Sequence, residues 1–299
     1  MTLQQLKYVV TVAECCNITE AAKQLFVSQP TVTSAIHDLE KEMQIVIFIR
    51  TNKGVILSED GERFLGHARQ VLEQVDLIEG IYKDDVVSKP HFAVSCQHYS
   101  FAVNAFVDVI RRFDAYQYDF TIREEQTHEI IEDVTNLKSE LGVIYLSSKN
   151  TEVLSKMLKR NELEFTELFT ATPHVFICDS HPLASKNSIT MDDLQDYPYL
   201  TYEQGEYNSQ YFSEEFVSTL DSRKNIRVRD RATLFNLIIG LNGYTVCSGV
   251  ISAELNGRNI ISKPLDVDEY MRIGIISRKG VVLSRYAREY IEALKAHCM

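Results

Sequence analysis

Two short helical patterns joined by a two-residue turn decide how the N-terminal part of this chain can fold. Thr19-Glu20-Ala21-Ala22-Lys23-Gln24-Leu25 reads as a short helix with Thr19 at its N-cap. Its paired alanines are small enough for a second helix to cross closely. Phe26-Val27 leaves room only for a tight turn before Ser28, which caps a further helix. Pro30 falls in the first turn of that helix, where a missing N–H costs nothing. Val32, Ile36 and Leu39 give it an inward stripe. Another helix precedes the pair: Thr2-Leu3-Gln4-Gln5 forms a capping box, and Leu3, Leu6, Val9, Val10 and Ala13 recur at helical spacing. The set is a helix-turn-helix, or else a generic three-helix bundle. The outward face favours the former. Gln29, Thr31, Thr33, Ser34 and His37 are hydrogen-bonding side chains near a helix N-terminus, suited to base edges or phosphates in a major groove.

After Met43, residues 45–49 and 55–57 are β-like, and Arg50-Thr51-Asn52-Lys53-Gly54 reverses the chain between them. This hairpin is a wing that offers Arg50 and Lys53 to a phosphate backbone. Ala21-Ala22, Leu25, Ser28-Gln29-Pro30, Val32, Ile36, Leu39-Glu40, Phe48, Arg50 and Leu57-Ser58-Glu59-Asp60-Gly61 resemble, in order, the N-terminal signature of LysR-type transcriptional regulators. The resemblance implies a winged helix-turn-helix over residues 1–58. It implies binding of double-stranded promoter or operator DNA through Thr19, Ser28, Gln29, Pro30, Thr31, Thr33, Ser34, His37, Arg50 and Lys53. Two positions depart from the family. Thr33-Ser34 stands where an Arg or Lys is common, which shifts affinity toward the wing. Gln44 stands where a glycine is usual, which leaves the helix end without its usual left-handed residue.

Bulk charge gives DNA binding no support. Lys and Arg number 31 against 42 Asp and Glu, a net charge of −11. Residues 1–87 carry eight basic against thirteen acidic side chains, and residues 88–299 carry 23 against 29, so neither part is basic. Recognition must rest on local pattern. With 24% charged and 45% apolar residues, the chain is ordinary globular material rather than a disordered one, and 299 residues suit two or three domains. No apolar run reaches the ~18–20 residues that span a bilayer, and the start lacks a secretory pattern. A cytoplasmic protein without a membrane partner is expected. Cys15, Cys16, Cys96, Cys178, Cys247 and Cys298 form no C-x-x-C and no zinc-ligand spacing, so neither metal nor cofactor is expected. They read as buried free thiols, with a thiol or peroxide sensor as the alternative.

Ser58 caps a long helix. Along it Phe64, Ala68, Val71, Val75, Ile78 and Tyr82 alternate in steps of four and three, a 3.5-residue repeat. Leu65, Leu72 and Leu77 widen the stripe. Residues 59–87 therefore read as a linker and dimerisation helix, rather than one packed wholly on its own domain. Self-association, as dimer or tetramer, would let two heads read two half-sites.

From His91 strands and helices alternate. Strands are expected at 92–96, 120–123 and 141–146, with helices at 100–113 and 128–138 between them, which implies a parallel sheet covered on both faces. A second unit, beginning near Phe165, has strands at 175–178, 199–202, 226–228 and 244–248 and helices at 191–194, 214–220 and 232–240. A strand at 272–277 and a helix at 284–295 close the chain. His181-Pro182-Leu183-Ala184, Met191-Asp192-Asp193-Leu194 and Arg272-Ile273-Gly274-Ile275 extend the family resemblance here. It implies a two-lobed, periplasmic-binding-protein-like (type 2) effector domain over 88–299. Lobe I would comprise 88–163 and 267–299, and lobe II 164–266.

Such a domain holds a small ligand at the carboxyl ends of its strands. Those ends supply Gln97, His98, Tyr99, Ser100, Gln126, Thr127, Tyr145, Tyr202, Thr245 and Val246. Ser100 and Thr127 start helices, where an anionic effector is favoured; the alternative is that they only cap. The tyrosines suit an aromatic or amphipathic ligand, or simple packing. An enzyme is disfavoured, because G-x-S-x-G, Gly-rich phosphate loops, H-E-x-x-H and acidic metal clusters are all missing. His98 and His128, near strand ends, read as structural. The chain as a whole reads as an effector-modulated, sequence-specific transcription regulator. The alternatives are a small-molecule-binding protein and a redox-responsive regulator on the same α/β fold.

Overall fold

The computed structural model describes residues 1–52, 54–82, 90–113, 117–205, 211–215, 223–251 and 257–298, and for 73, 76, 77 and 79–82 the backbone alone. Two compact units result: Met1–Pro90 with Asn136–Lys138, and the rest from His91 onward.

The first unit contains α1 (Leu3–Cys15), α2 (Ile18–Gln24), α3 (Gln29–Met43), β1 (Phe48–Thr51), β2 (Gly54–Leu57) and α4 (Glu59–Tyr82). Thr2 and Gln5 close the capping box on α1. Asn17 rather than Thr19 caps α2: its Oδ1 accepts the Thr19 and Glu20 N–H groups at 2.9 and 3.2 Å. Thr19 thereby becomes a helical residue. Ser28 caps α3 by accepting the Thr31 N–H at 3.3 Å. At the other end of α3, Gln44 adopts the left-handed conformation itself, with φ 55° and ψ 37°, so the turn survives without glycine. A non-glycine residue there costs about 1–2 kcal/mol. The first wing strand begins at Phe48, later than expected, because Glu40 Oε1 accepts the Ile47 and Phe48 N–H groups at 2.7 and 3.1 Å. Residues 45–47 are thus held to α3. The strand then runs through Arg50 and Thr51, pairing Arg50 with Val55 and Thr51 with Gly54. Lys53 lies outside the described residues. Gly54 has φ +135°, and a Cβ there would lie 2.3 Å from the Cys16 carbonyl oxygen, which seats the wing against the end of α1. Val9, Val12, Ala21, Ala22, Val32, Ile36 and Leu39 form the core between the helices.

Ser58 caps α4 through the Gly61 N–H at 2.9 Å. The stripe along α4 divides. Phe64 and Leu65 pack into the head's own core, and Ala68 is buried. Val75 is half-buried, while Val71 and Ile78 are 41% and 58% exposed. For Tyr82 only the backbone is described. The N-terminal part of the expected seam is therefore spent within the chain, and Val71 and Ile78 remain exposed.

The second unit opens with β3 (His91–Cys96), α5 (Ser100–Phe113), β4 (Asp119–Glu124), α6 (Thr127–Thr135), β5 (Leu141–Leu146), α7 (Thr151–Arg160) and β6 (Leu163–Ala171). Next come β7 (His174–Cys178), a 3₁₀ turn (Asp192–Leu194), β8 (Tyr199–Tyr202), β9 (Asn225–Val228), α8 (Arg231–Leu241), β10 (Thr245–Cys247) and β11 (Ile260–Pro264). β12 (Met271–Arg278) and α9 (Arg285–Cys298) end the chain. The first lobe's sheet runs β4-β3-β5-β12-β6. β3 is parallel to β4 and β5, but β12 is antiparallel to both its neighbours, so the sheet is mixed rather than parallel. Because β6 pairs with β12 along its length, the chain stays in the first lobe through Ala171 instead of leaving it near 164. The second lobe has the order β10-β7-β11, and the β8-β9 pair joins it through a bridge from Tyr199 to Tyr244.

The helix expected at 191–194 is the 3₁₀ turn. Of the helix expected at 214–220, only Glu214 and Glu215 are described, and they are not helical. Phe92 stacks on Phe106 at 6.0 Å and meets Tyr290 edge-on at 5.7 Å, which ties the closing helix to the first lobe. No described helix is long and apolar enough to cross a membrane.

Candidate functional site

α3 exposes Gln29, Pro30, Thr31, Ser34 and His37, with Ser28 at its start, Thr19 on α2 and Arg50 on β1 also exposed. Ser28 Oγ and Thr31 Oγ1 lie 2.7 Å apart, so the Thr31 hydroxyl is shared with the cap. Thr33 departs from the outward set. It is half-buried, and its buried hydroxyl makes no hydrogen bond. One residue after Val32 and three before Ile36, it sits on the flank of the inward stripe. Phe26, passed over in the sequence as a spacer, is 96% exposed in a left-handed turn between α2 and α3.

In the second unit, His98 joins the lobes. Its ring stacks on Tyr202 at 3.8 Å and 6°. Its Nδ1 lies 2.8 Å from Glu214 Oε2, and its Nε2 lies 3.1 Å from the Arg229 carbonyl. The same Glu214 oxygen accepts the His98 backbone N–H at 3.0 Å, and Gln204 donates to Glu214 Oε1 at 3.3 Å. A cavity of about 40 Å³ lies beside this hub. His98, Tyr99, Ser100, Tyr202, Thr245 and Val246, all expected at the cleft, line it. Gln126 lines a wider, more open cavity of about 400 Å³ that shares His98.

The remaining expected residues brace the cleft instead of facing it. Gln97 Oε1 accepts the Tyr99 hydroxyl and the Tyr145 N–H at 3.0 and 3.1 Å, and its Nε2 donates to Thr127 Oγ1 at 2.7 Å. Thr127 in turn donates its N–H to Gln204 and its hydroxyl to the Phe212 carbonyl, at 3.2 and 2.7 Å. The start of α6, expected to hold a ligand carboxylate, thus holds chain from the second lobe. Ser100 Oγ reaches the Val250 carbonyl at 3.4 Å.

Residues 3–62 match the model of the bacterial regulatory helix-turn-helix protein, lysR family, and residues 95–299 match that of the LysR substrate binding domain. The chain belongs to the LysR family. It is 22% identical over 302 residues to the DNA-binding transcriptional dual regulator OxyR of Escherichia coli (strain K12), covering 99% of this chain and 95% of that one. The regulator CysB of Burkholderia cenocepacia is 29% identical over 210 residues, 68% of this chain and 63% of CysB. Among solved structures, a full-length OxyR variant from Pseudomonas aeruginosa superposes with a TM-score of 0.65 at 21% identity, covering 99% of this chain and 95% of that one. The LysR-family regulator CbnR gives 0.56 at 18% identity, with both chains fully covered. These two likenesses establish the fold.

The LysR-family chain is therefore a DNA-binding transcriptional regulator with an effector-binding domain. Sequence reading missed the cleft's acids. Glu214 and Glu215 are buried, and both line the cavity with Arg231. Glu215 accepts the Tyr202 N–H at 2.7 Å and the Ser213 hydroxyl at 2.9 Å. Burial, reinforced by the neighbouring Glu214 carboxylate, pushes Glu215 up to about 8. Burial draws His98 down, but Glu214 outweighs it and holds His98 above its ordinary value. Arg231 reaches Glu124 at 2.9 Å. The one available signal was the adjacent acid pair inside Tyr211-Phe212-Ser213-Glu214-Glu215-Phe216. Its aromatic flanks are unusual for an exposed helix face.

Proposed function

We propose that this regulator binds a small-molecule effector between the two lobes of its C-terminal unit. Binding there alters how paired heads sit on promoter DNA. The observation that carries this reading is Thr245, only 4% exposed, whose hydroxyl makes no hydrogen bond yet lines the interlobe cavity. An unpaired buried hydroxyl costs about 1–3 kcal/mol, and a ligand that bonds it recovers that loss. Both lobes line the cavity, so a ligand there favours one lobe arrangement and shifts the population toward it. In the head, Gln29, Ser34 and His37 face the bases, while Arg50 faces phosphates. The exposed Val71 and Ile78 join two copies, which gives the two-fold symmetry that paired half-sites need. We assign residues 1–58 to the DNA head, 59–87 to the connector and 88–299 to the sensor.

A thiol-responsive reading draws on the likeness to OxyR and to hydrogen peroxide-inducible genes activators. The thiols are not all buried, as expected of them: Cys16 is exposed and Cys15, Cys247 and Cys298 are half-buried, but those in the second unit give the reading little support. Burial pushes the Cys96 and Cys247 thiols well up and Cys298 up to about 12, which disfavours the reactive thiolate.

The test is a thermal-shift screen of metabolites on the full-length chain, wild type beside Thr245→Leu. Hits should raise the wild-type melting temperature and leave Thr245→Leu unmoved. Hits that move both proteins equally place the ligand elsewhere.

A further inference from the structure

The cleft's charges show what kind of ligand it can accept. Glu214 is answered by His98 at 2.8 Å, and Arg231 by Glu124 at 2.9 Å. Among the described residues Glu215 alone of these acids forms no ion pair: its donors are a backbone N–H and a serine hydroxyl. It is 2% exposed, directly next to Glu214, and faces the cavity that Thr245 enters with an unbonded hydroxyl. The wider cavity adjoining His98 is acidic as well. Glu124, Glu125, Glu129 and Glu203 line it with Arg229, His98 and His128; Arg231 and Arg229 answer Glu124 and Glu203, and the remaining excess of acids favours a cation. An anion entering here would face a wall of carboxylates. An ammonium group would supply the counter-charge Glu215 lacks and place an N–H donor on Thr245.

Resting on the interlobe reading, we propose that the effector carries an ammonium group that docks against Glu214 and Glu215, with the Thr245 hydroxyl as a further acceptor. The cavity has room for about three water molecules, which suits an ammonium head on a short stem. Docking is coupled to a proton. Glu215 is largely neutral near pH 7 and releases its proton to solvent as the ammonium ion-pairs with the resulting carboxylate. The other titratable groups facing it keep one charge. Burial raises Tyr99, Tyr145, Tyr199, Tyr202 and Cys247, all of which stay neutral. His98 also titrates, and the variants below separate it from Glu215.

The test uses the full-length protein with n-propylammonium, 1-propanol and propionate, a matched set differing in charge, followed by thermal shift and calorimetry from pH 6 to 9. Propylammonium should raise the melting temperature while the other two do not. Its affinity should rise about tenfold per pH unit up to about pH 8, with release of about one proton. Glu215→Gln mimics the neutral acid, so it should leave the unliganded protein intact while removing both the response and its pH dependence. His98→Gln should keep the response. Stabilisation by propionate instead of propylammonium overturns the ammonium assignment but leaves the interlobe site standing. An undiminished response in Glu215→Gln overturns it too. Silence toward all three at tens of millimolar also overturns it. A Thr245→Leu-sensitive response to a low-molecular-weight cell filtrate, measured alongside, then decides whether the interlobe reading falls with it.

Discussion

The DNA head and the sensor cleft both present polar side chains on a scaffold of short elements, but they use those side chains differently. On α3, Gln29, Ser34 and His37 are exposed, and no described residue of another element hydrogen-bonds their side chains. In the cleft, Gln97, Thr127, Gln204, His98 and Glu214 are engaged with one another across the two lobes. A surface that reads DNA can stay open, because water satisfies it until the duplex arrives. A buried cleft cannot, since unpaired polar groups there cost too much, so it fills with its own contacts and leaves only a few unmet. Thr245, whose hydroxyl is unmet, and Glu215, bonded but without a cation in contact, are therefore the informative ones.

The largest effect expected of this contrast is in the cleft. Glu214→Ala strands the His98 ring, its backbone N–H and the Gln204 amide, and removal of one partner of a buried ion pair costs about 3–5 kcal/mol. Urea unfolding of the second unit should show that loss, and a loss under 1 kcal/mol would mean the cleft is as open as the head. Ile78→Asp, at an exposed position, should cost no folding stability yet abolish self-association and operator binding in sedimentation and gel-shift experiments. An unchanged mass removes Ile78 from the interface. Gln29→Ala or Ser34→Ala should weaken specific DNA binding by about 1–3 kcal/mol and leave random DNA unaffected. Arg50→Ala should weaken both and lower the salt slope by about one.

A smaller effect per step is set by pH. Glu215 binds its proton up to about pH 8 in the folded chain against 4.5 as the ordinary value, and His98 is also raised from 6.5. In both cases the folded state holds the proton longer than the unfolded one. The stability these two groups contribute is then fully present at low pH and is lost as pH rises, for Glu215 between about 4.5 and 8 by up to about 1.4 kcal/mol per pH unit, and for His98 only above about 6.5. Glu215→Gln should flatten that decline, and an unaltered slope would assign it to other groups. The smallest change belongs to Thr33→Val. Its buried hydroxyl has no partner, so the substitution should cost no stability and should move specific binding by no more than about 0.5 kcal/mol. A larger loss of specific binding returns Thr33 to the recognition face.

What was legible in the sequence was local. Helical period, caps and turns lie within a few residues of one another, so α1 to α3, the wing and the strand ends at His98 and Thr245 could be read directly. The errors inside the head were local competitions: Asn17 outcompeted Thr19 for one cap, and Glu40 held residues 45–47 away from the wing. In the sensor the missing information was long-range. α7 went unread because only Leu154 and Leu158 are buried in a largely polar run. β6 was assigned to the wrong lobe because its partner, β12, lies about a hundred residues on. The acid pair escaped for the same reason. Glu214 meets His98 across 116 positions, and no spacing rule reports such a contact.

The most direct test of the central claim is a footprint of the full-length protein on the promoter DNA beside its own gene, with and without a low-molecular-weight filtrate of the source cells. Wild type and Thr245→Leu are compared at one salt concentration. The two proteins should give identical footprints without filtrate, and adding it should change length or bend with wild type alone. A filtrate-induced change of equal size in Thr245→Leu would contradict an effector bound between the lobes.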